Sequence, residues 1–222
     1  MTDIVLASNN KKKIAELREM LKVIPDINVL SLQDIGFNDE IIEDGTSFEE
    51  NSLIKASTPA RLGYIGIADD SGLSVDYLGG APGIYSARYS GEGATDESNR
   101  QKVFADLDGV PEEDRTARFV CTVTLVLPEN SAYVIPGKWR IPDELAAKRG
   151  ISADRAMSVR GECHGIILDE ERGEGGFGYD CMFWYPDFGC TFAEVPAERK
   201  AGVSHRGIAM REITEIMKEI FA

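Results

Sequence analysis

Ile4, Val5, Leu6 and Ala7 form a short unbroken apolar run, and a polar turn, Ser8-Asn9-Asn10, separates them from Ile14, Leu17, Leu21 and Ile24. The first pattern predicts a buried strand, and the second, with its spacing of three and four, predicts one face of a helix. The turn supplies side chains suited to capping that helix. A second strand is expected at residues 27–30. Glu43-Asp44-Gly45 then turns the chain into another helix, for which Thr46-x-x-Glu49 and Ser47-x-x-Glu50 both fit a capping box and leave the start open. Gly63 ends that helix. Residues 65–68 enter a strand that is expected to stop at Asp69-Asp70-Ser71-Gly72, which puts acidic residues at a strand end.

Further along, Thr95-Asp96-Glu97 marks a helix start with carboxylates where the helix dipole favours them, and the helix runs to about residue 107. Residues 116–127, long and rich in β-branched side chains, give the clearest strand. Between 131 and 159, Pro136, Gly137 and Pro142 break the pattern around a short helix at 143–149. Strands are expected at 165–169 and 182–185. Ile213, Ile216, Met217 and Ile220 form the buried stripe of a last helix at 207–220. Strands and helices alternate, so the class is α/β, and residues 1–222 are read as one domain.

The chain's 43% hydrophobic and 28% charged residues are those of an ordinary globular protein. No stretch is apolar for long enough to span a bilayer, and no basic leader precedes the first apolar run, so the protein is expected in the cytoplasm. A net charge of −14 repels nucleic acid and leaves polyphosphate as a partner only where cations are concentrated locally. Cys121, Cys163, Cys181 and Cys190 show no zinc spacing and read as reduced packing residues. Cys163-His164 is not a nucleophile and its base, because neighbours in a strand face opposite ways.

Four segments carry chemistry. In Ser8-Asn9-Asn10-Lys11-Lys12-Lys13, a strand end, a helix start and three ammonium groups coincide, which suits phosphate; taken alone, the commoner reading is a capped helix with solvated lysines. Glu43, Asp69 and Asp70 offer carboxylates of the kind that hold Mg²⁺ or activate water, although Asp-Asp-Ser-Gly also describes a surface turn. Gly173-Glu174-Gly175-Gly176-Phe177-Gly178 matches the dinucleotide fingerprint in letters only, since an aromatic segment and not a helix follows it. It reads as a loop that admits a ligand, with Phe177 or Tyr179 as a stacking face; Phe183 and Trp184 read as core. Finally, Lys200, Ser204, His205 and Arg206 precede a helix, where Ser204 is a natural cap and the cations oppose the dipole unless an electron-rich ligand relieves them.

Together these segments resemble the inosine triphosphatase-like family of pyrophosphatases, which act on dITP, ITP and XTP. The likeness covers nearly the whole chain. Its carriers are Ala7-Ser8-Asn9-Asn10 with Lys13, Glu43-Asp44-Gly45-Thr46-Ser47-Phe48 with Glu50-Asn51, Ala68-Asp69-Asp70-Ser71-Gly72-Leu73, the run from Gly79 to Tyr89, Gly176-Phe177-Gly178-Tyr179-Asp180 and Ser204-His205-Arg206-Gly207. The resemblance implies a mixed, twisted sheet flanked by helices in two lobes, with the active site in a cleft between them, and a homodimer. It implies substrate contacts from Ser8, Asn9, Asn10, Lys11, Lys12, Lys13, Ser71, Phe177, Gly178, Tyr179, Asp180, Lys200, His205 and Arg206. Glu43 and Asp70 would bind Mg²⁺, and Asp70 would accept a proton from water, with Asp69 and Lys13 completing the catalytic set.

Three departures stand out: Cys181 where the family usually has proline, Ala201 where a polar residue is commoner, and a segment at 131–159 that reads as an insertion. Two other readings compete. A Maf-like pyrophosphatase for pyrimidine or modified nucleotides would share the acidic centre but not Ser-His-Arg-Gly. A silent nucleotide sensor would have little need of Glu43, Asp69, Asp70 and Lys13 together.

Overall fold

The computed structural model describes residues 2–221, apart from the side chain of Lys12. Seven strands are hydrogen-bonded in the order β2-β1-β3-β4-β5-β6-β7, in a mixed sheet accompanied by helices, as the α/β expectation required. The chain divides into two compact units, one of residues 1–70, 122–160 and 209–222, the other of residues 71–121 and 161–208.

In the first unit, β1 (Thr2–Leu6) lies parallel to β2 (Ile27–Ser31), with Ile4 opposite Val29, and parallel to the first half of β3 (Ile65–Val75), with Leu6 opposite Ile67. Helix α1 (Lys11–Leu21) buries Ile14, Leu17 and Leu21, the face its spacing predicted. Helix α2 (Phe48–Arg61) starts at Ser47, whose hydroxyl accepts the Glu50 N–H. The reciprocal half of the expected capping box is displaced by one residue, because the Glu50 carboxylate reaches Thr46 instead. Helix α2 packs so closely on β3 that a Cβ at Gly66 would lie 1.9 Å from the Ala56 carbonyl oxygen. Val5, Ala7, Leu53, Ala56 and Ala68 form the core here. Ile141, Ala146 and Ala156, from the segment around 131–159, are part of it.

The second unit holds helix α3 (Asp96–Asp106), capped reciprocally by Thr95 and Ser98. Strands β4 (Thr116–Val126) and β5 (Ala156–Ile167) each run from one unit into the other. Between them in sequence comes α4 (Asp143–Lys148), in the first unit. The short antiparallel strands β6 (Phe183–Tyr185) and β7 (Cys190–Thr191) follow, then α5 (Ala197–Val203) and α6 (His205–Ile220). Leu73, Val75, Val103, Phe119, Phe183 and Phe192 make this unit's core. Phe119 and Phe183 pack with ring centroids 4.5 Å apart, so Phe183 is core as expected.

Three sequence expectations need correction. Strand β3 does not stop at Asp69-Asp70-Ser71-Gly72 but runs through it to Val75. Turn-prone residues stay extended here because each carboxylate meets an ammonium group from a neighbouring helix, so neither needs the water a turn would provide. Strand β5 begins nine residues before the predicted 165 and ends two before 169; its alternation of buried and half-exposed positions was hidden by Arg160, Glu162 and His164 on its open face. The segment around Lys200, expected to precede a helix that starts at 207, is itself helical as α5, and the helix it precedes, α6, already starts at His205.

Candidate active site

Successive residues of a strand point to opposite faces, and β3 uses this to address two helices with two adjacent carboxylates. Asp69, almost fully buried, accepts a 2.7 Å hydrogen bond from Nζ of Lys13 on α1. Asp70 lies on the same face as Gly66, against α2. There Lys55 Nζ donates to Asp70 Oδ1 at 2.8 Å and to Glu43 Oε2 at 2.8 Å, so one ammonium bridges two carboxylates. Asn51, one turn before Lys55 on the same helix face, donates to Asp70 Oδ2 at 3.4 Å. Gly66 makes this possible, since any side chain there would push α2 and its Lys55 away from the strand.

The electrostatics follow from burial. Burial pushes the Asp70 carboxyl above its ordinary value, Glu43 adds to that, and Lys55 opposes it. For Lys55, burial alone would lower the pKa, but Asp70 and Glu43 outweigh it and hold the ammonium firmly charged. Two carboxylates around one ammonium leave one negative charge uncompensated. Mg²⁺ takes oxygen ligands, is commonly bound through one or two carboxylates, and fills its remaining positions with water and substrate phosphate. The Glu43–Asp70 pair fits that demand. Among the described residues no cluster of three or more metal-ligating side chains stands ready by itself.

At the start of α1, Asn10 is the cap: its side-chain oxygen receives the Lys13 N–H at 3.3 Å, and Ser8 Oγ receives the Asn10 N–H at 3.1 Å. Asn9 is exposed, but its side chain holds the Gln33 N–H at 3.0 Å. Lys11 is exposed, and Lys13 is turned inward to Asp69. Lys12 belongs to α1, and its side chain lies outside the described ones.

The remaining predicted residues belong to the second unit; Ser71, its first residue, is exposed on β3. Phe177 is 79% exposed at the tip of the glycine-rich loop, which is no helix, as expected. Asp180, 3% exposed, organises that loop: it accepts the Phe177 N–H at 3.1 Å and the Lys200 ammonium at 2.6 Å. Gly176 is required beside it, because a Cβ would lie 2.2 Å from Asp180 Oδ2. Lys200 Nζ also sits 4.9 Å from the Phe177 ring centroid, a cation–π arrangement that steadies the exposed ring. Gly178 is fixed at both ends, its N–H to Asp96 at 2.8 Å and its carbonyl to Arg100 at 3.0 Å. Tyr179 is buried and donates its hydroxyl to the Ser86 carbonyl at 2.7 Å, so of the two aromatics proposed for stacking only Phe177 presents a face. The half-buried His205 ring stacks on Phe119 at 4.9 Å, and Arg206 follows it in the first turn of α6, half-buried. Ser204 Oγ receives the Gly207 N–H, the cap expected of it.

Cys163 is buried and His164 exposed on opposite faces of β5, and burial raises the Cys163 thiol to about 12. Sequence reasoning missed Lys55 and Asn51 as members of the acidic centre. Their spacing of four on α2 was the available signal, but only the packing of α2 on Gly66 says which carboxylate that face meets.

Residues 4–216 match the family model described as the Ham1 family. A protein of Geobacter sulfurreducens named dITP/XTP pyrophosphatase is 45% identical over 211 residues, 95% of this chain and 94% of that one. One of the same name from Desulforamulus reducens is 40% identical, covering 98% and 96%. Among solved structures, a HAM1 protein from Coxiella burnetii superposes with a TM-score of 0.84 at 35% identity, covering 99% of this chain and 100% of that one. The Ham1 protein of Staphylococcus aureus gives 0.82 at 33%, covering 98% and 99%.

Proposed function

The chain belongs to the Ham1 family, and from that premise we propose that it is a nucleoside triphosphate pyrophosphatase that hydrolyses dITP, ITP and XTP to the monophosphate and pyrophosphate. The observation that carries the reading is the double pairing on β3, Lys13 with Asp69 and Lys55 with Asp70 and Glu43. Asp69 is matched by Lys13, while Glu43 and Asp70 share one ammonium and keep a negative charge that suits a divalent cation, and with it a polyphosphate whose reaction needs positioning and charge neutralisation more than covalent help.

In this reading, Glu43 and Asp70 hold a Mg²⁺ ion, which when bound screens phosphate charge and makes water more acidic. Asp70 takes the proton from the water that attacks the α-phosphorus. Asp69 holds Lys13, and with Lys11, Lys12 and the backbone N–H groups at the start of α1 this ammonium meets the phosphates and the departing pyrophosphate. Ser8, Asn9, Asn10 and Ser71 support the same end of the substrate. Phe177 offers a face to the purine, on a loop held by Asp180, Lys200, Gly178 and Tyr179. His205 and Arg206 serve the base; a guanidinium has donors only, so it donates to the 6-oxo group of hypoxanthine or xanthine and has no acceptor for the 6-amino group of adenine. Such an enzyme serves the cytoplasmic nucleotide pool and works as a homodimer. No helix among the described residues is long and apolar enough to cross a membrane.

Purified protein incubated with Mg²⁺ and, separately, ITP, XTP, GTP, ATP and TTP tests the reading. Pyrophosphate released from ITP and XTP, with little from ATP, is the expected result. Absence of turnover on both sinks it, and turnover of TTP in their place moves the assignment to a pyrimidine-directed pyrophosphatase.

A further inference from the structure

Glu43 projects from a stretch, residues 43–47, without regular structure of its own, yet every residue after it is tied down. Asp44 accepts from Arg149 at 2.9 Å, the Gly45 N–H goes to Asn51 Oδ1 at 2.9 Å, and the Thr46 N–H and hydroxyl go to Glu50 Oε2 at 2.9 and 3.0 Å. Two of these ties lead to one place. Glu50, 2% exposed, receives Arg149 Nε at 2.7 Å and Lys148 Nζ at 2.6 Å on its other oxygen. The guanidinium therefore grips Asp44 and Glu50 together, and Glu50 grips Thr46. Arg149 and Lys148 close the short helix α4, whose Ala146 sits in the unit's core together with Ile141.

We propose that Arg149, supported by Lys148, is a positioning residue: the segment around α4 braces the 43–47 loop from outside and thereby sets where the Glu43 carboxylate stands relative to Asp70. The inference rests on the reading that Glu43 and Asp70 hold a divalent cation. It gives the 131–159 segment a task, since its buried residues anchor α4 and Lys148 and Arg149 at the end of that helix do the bracing. Two features of the loop support it. A Cβ at Gly45 would lie 2.5 Å from Asn51 Oδ1, so the loop passes too close to α2 to tolerate slack. Asn51 also donates to Asp70, so movement of Gly45 disturbs both carboxylates. The Lys148 and Arg149 contacts, with Thr46, overcome the effect of burial and bring Glu50 down to about 2, so the brace stays charged throughout the working range of pH.

The test compares wild type, Arg149→Met, Arg149→Lys and, as a control on the same segment, Lys138→Ala, which removes an exposed ion pair to Glu219. Three quantities are measured: Mn²⁺ binding by calorimetry without nucleotide, amide hydrogen exchange in the 43–47 peptide, and kcat and KM for ITP. Outer-shell partners of metal ligands typically contribute 10–100-fold, so Arg149→Met is expected to weaken Mn²⁺ binding and lower kcat by about tenfold each, with KM changed less than about threefold. Exchange at Gly45 and Thr46 rises, Arg149→Lys recovers part of each loss, and Lys138→Ala matches wild type. Unchanged Mn²⁺ affinity and unchanged exchange in Arg149→Met overturn the proposal, whether or not activity falls. If wild type turns over no ITP, the functional reading fails by itself, while Mn²⁺ binding and exchange still decide the brace.

Discussion

Replacing Lys55 with methionine keeps the side chain's apolar stem and deletes the ammonium that Glu43 and Asp70 share at 2.8 Å each. The side chains of Lys55 and Asp70 are 13% and 14% exposed, and that of Glu43 is 32% exposed. Water can therefore make good the loss at Glu43 but not at Asp70. Removing one partner of a buried ion pair costs about 3–5 kcal/mol; because Glu43 reaches solvent and Asp70 can take up a proton, the lower end applies, about 3 kcal/mol near pH 8. For a chain of this size that is a fall in Tm of about 6–12 °C. The pH dependence has a definite sign. Burial already holds Asp70 above 3.8, and losing Lys55 raises it further. A carboxyl with a higher pKa folded than unfolded costs stability at pH values above its folded pKa, and the cost fades as pH falls through that value. The deficit of Lys55→Met should accordingly be largest at pH 8 and shrink towards pH 5. Calorimetric unfolding of wild type, Lys55→Met and Lys55→Met/Asp70→Asn at both values checks this, the added Asp70→Asn restoring most of the loss at pH 8. A deficit under about 1 kcal/mol at pH 8, or one that grows on acidification, refutes the claim that Lys55 compensates these carboxylates.

Gly66→Ala forces a Cβ to 1.9 Å from the Ala56 carbonyl, so thermal unfolding should show a loss of about 3 kcal/mol, with ITP turnover reduced as Lys55 shifts away from Asp70. Phe177→Ala removes a ring that is 79% exposed; Tm should stay within about 1 °C while KM for ITP rises about tenfold, the scale of one base–aromatic stack, and an unchanged KM would exclude Phe177 from the base site. Glu50→Gln should destabilise by about 2 kcal/mol at pH 7. Glu50 is lowered from 4.5 to about 2, so its contribution is complete above 4.5 and lost as pH falls through about 2. Denaturant titrations of the two proteins should converge over that window.

Much of the chemistry was legible one segment at a time. The spacing of Ile14, Leu17 and Leu21 defined the buried face of α1, two overlapping capping boxes placed the start of α2 to within one residue, and the order of short motifs from Ser8 to Arg206 carried the family likeness. Those signals act within a few residues along the chain, where helix period, capping and turn preference apply. Tertiary structure decided what the acidic pair meets. Turn-prone Asp69-Asp70-Ser71-Gly72 became the middle of a strand, so the two carboxylates face opposite ways and meet Lys13 and Lys55 separately. Tyr179 went inside and Phe177 outside, two residues apart in one loop. Arg149 found Asp44 and Glu50 about a hundred positions earlier in the chain. An ion pair across such a separation leaves no periodicity to read, because its partners are chosen by how closely helices pack on the sheet, and that closeness depends on positions such as Gly66 and Ala56 that carry no charge at all.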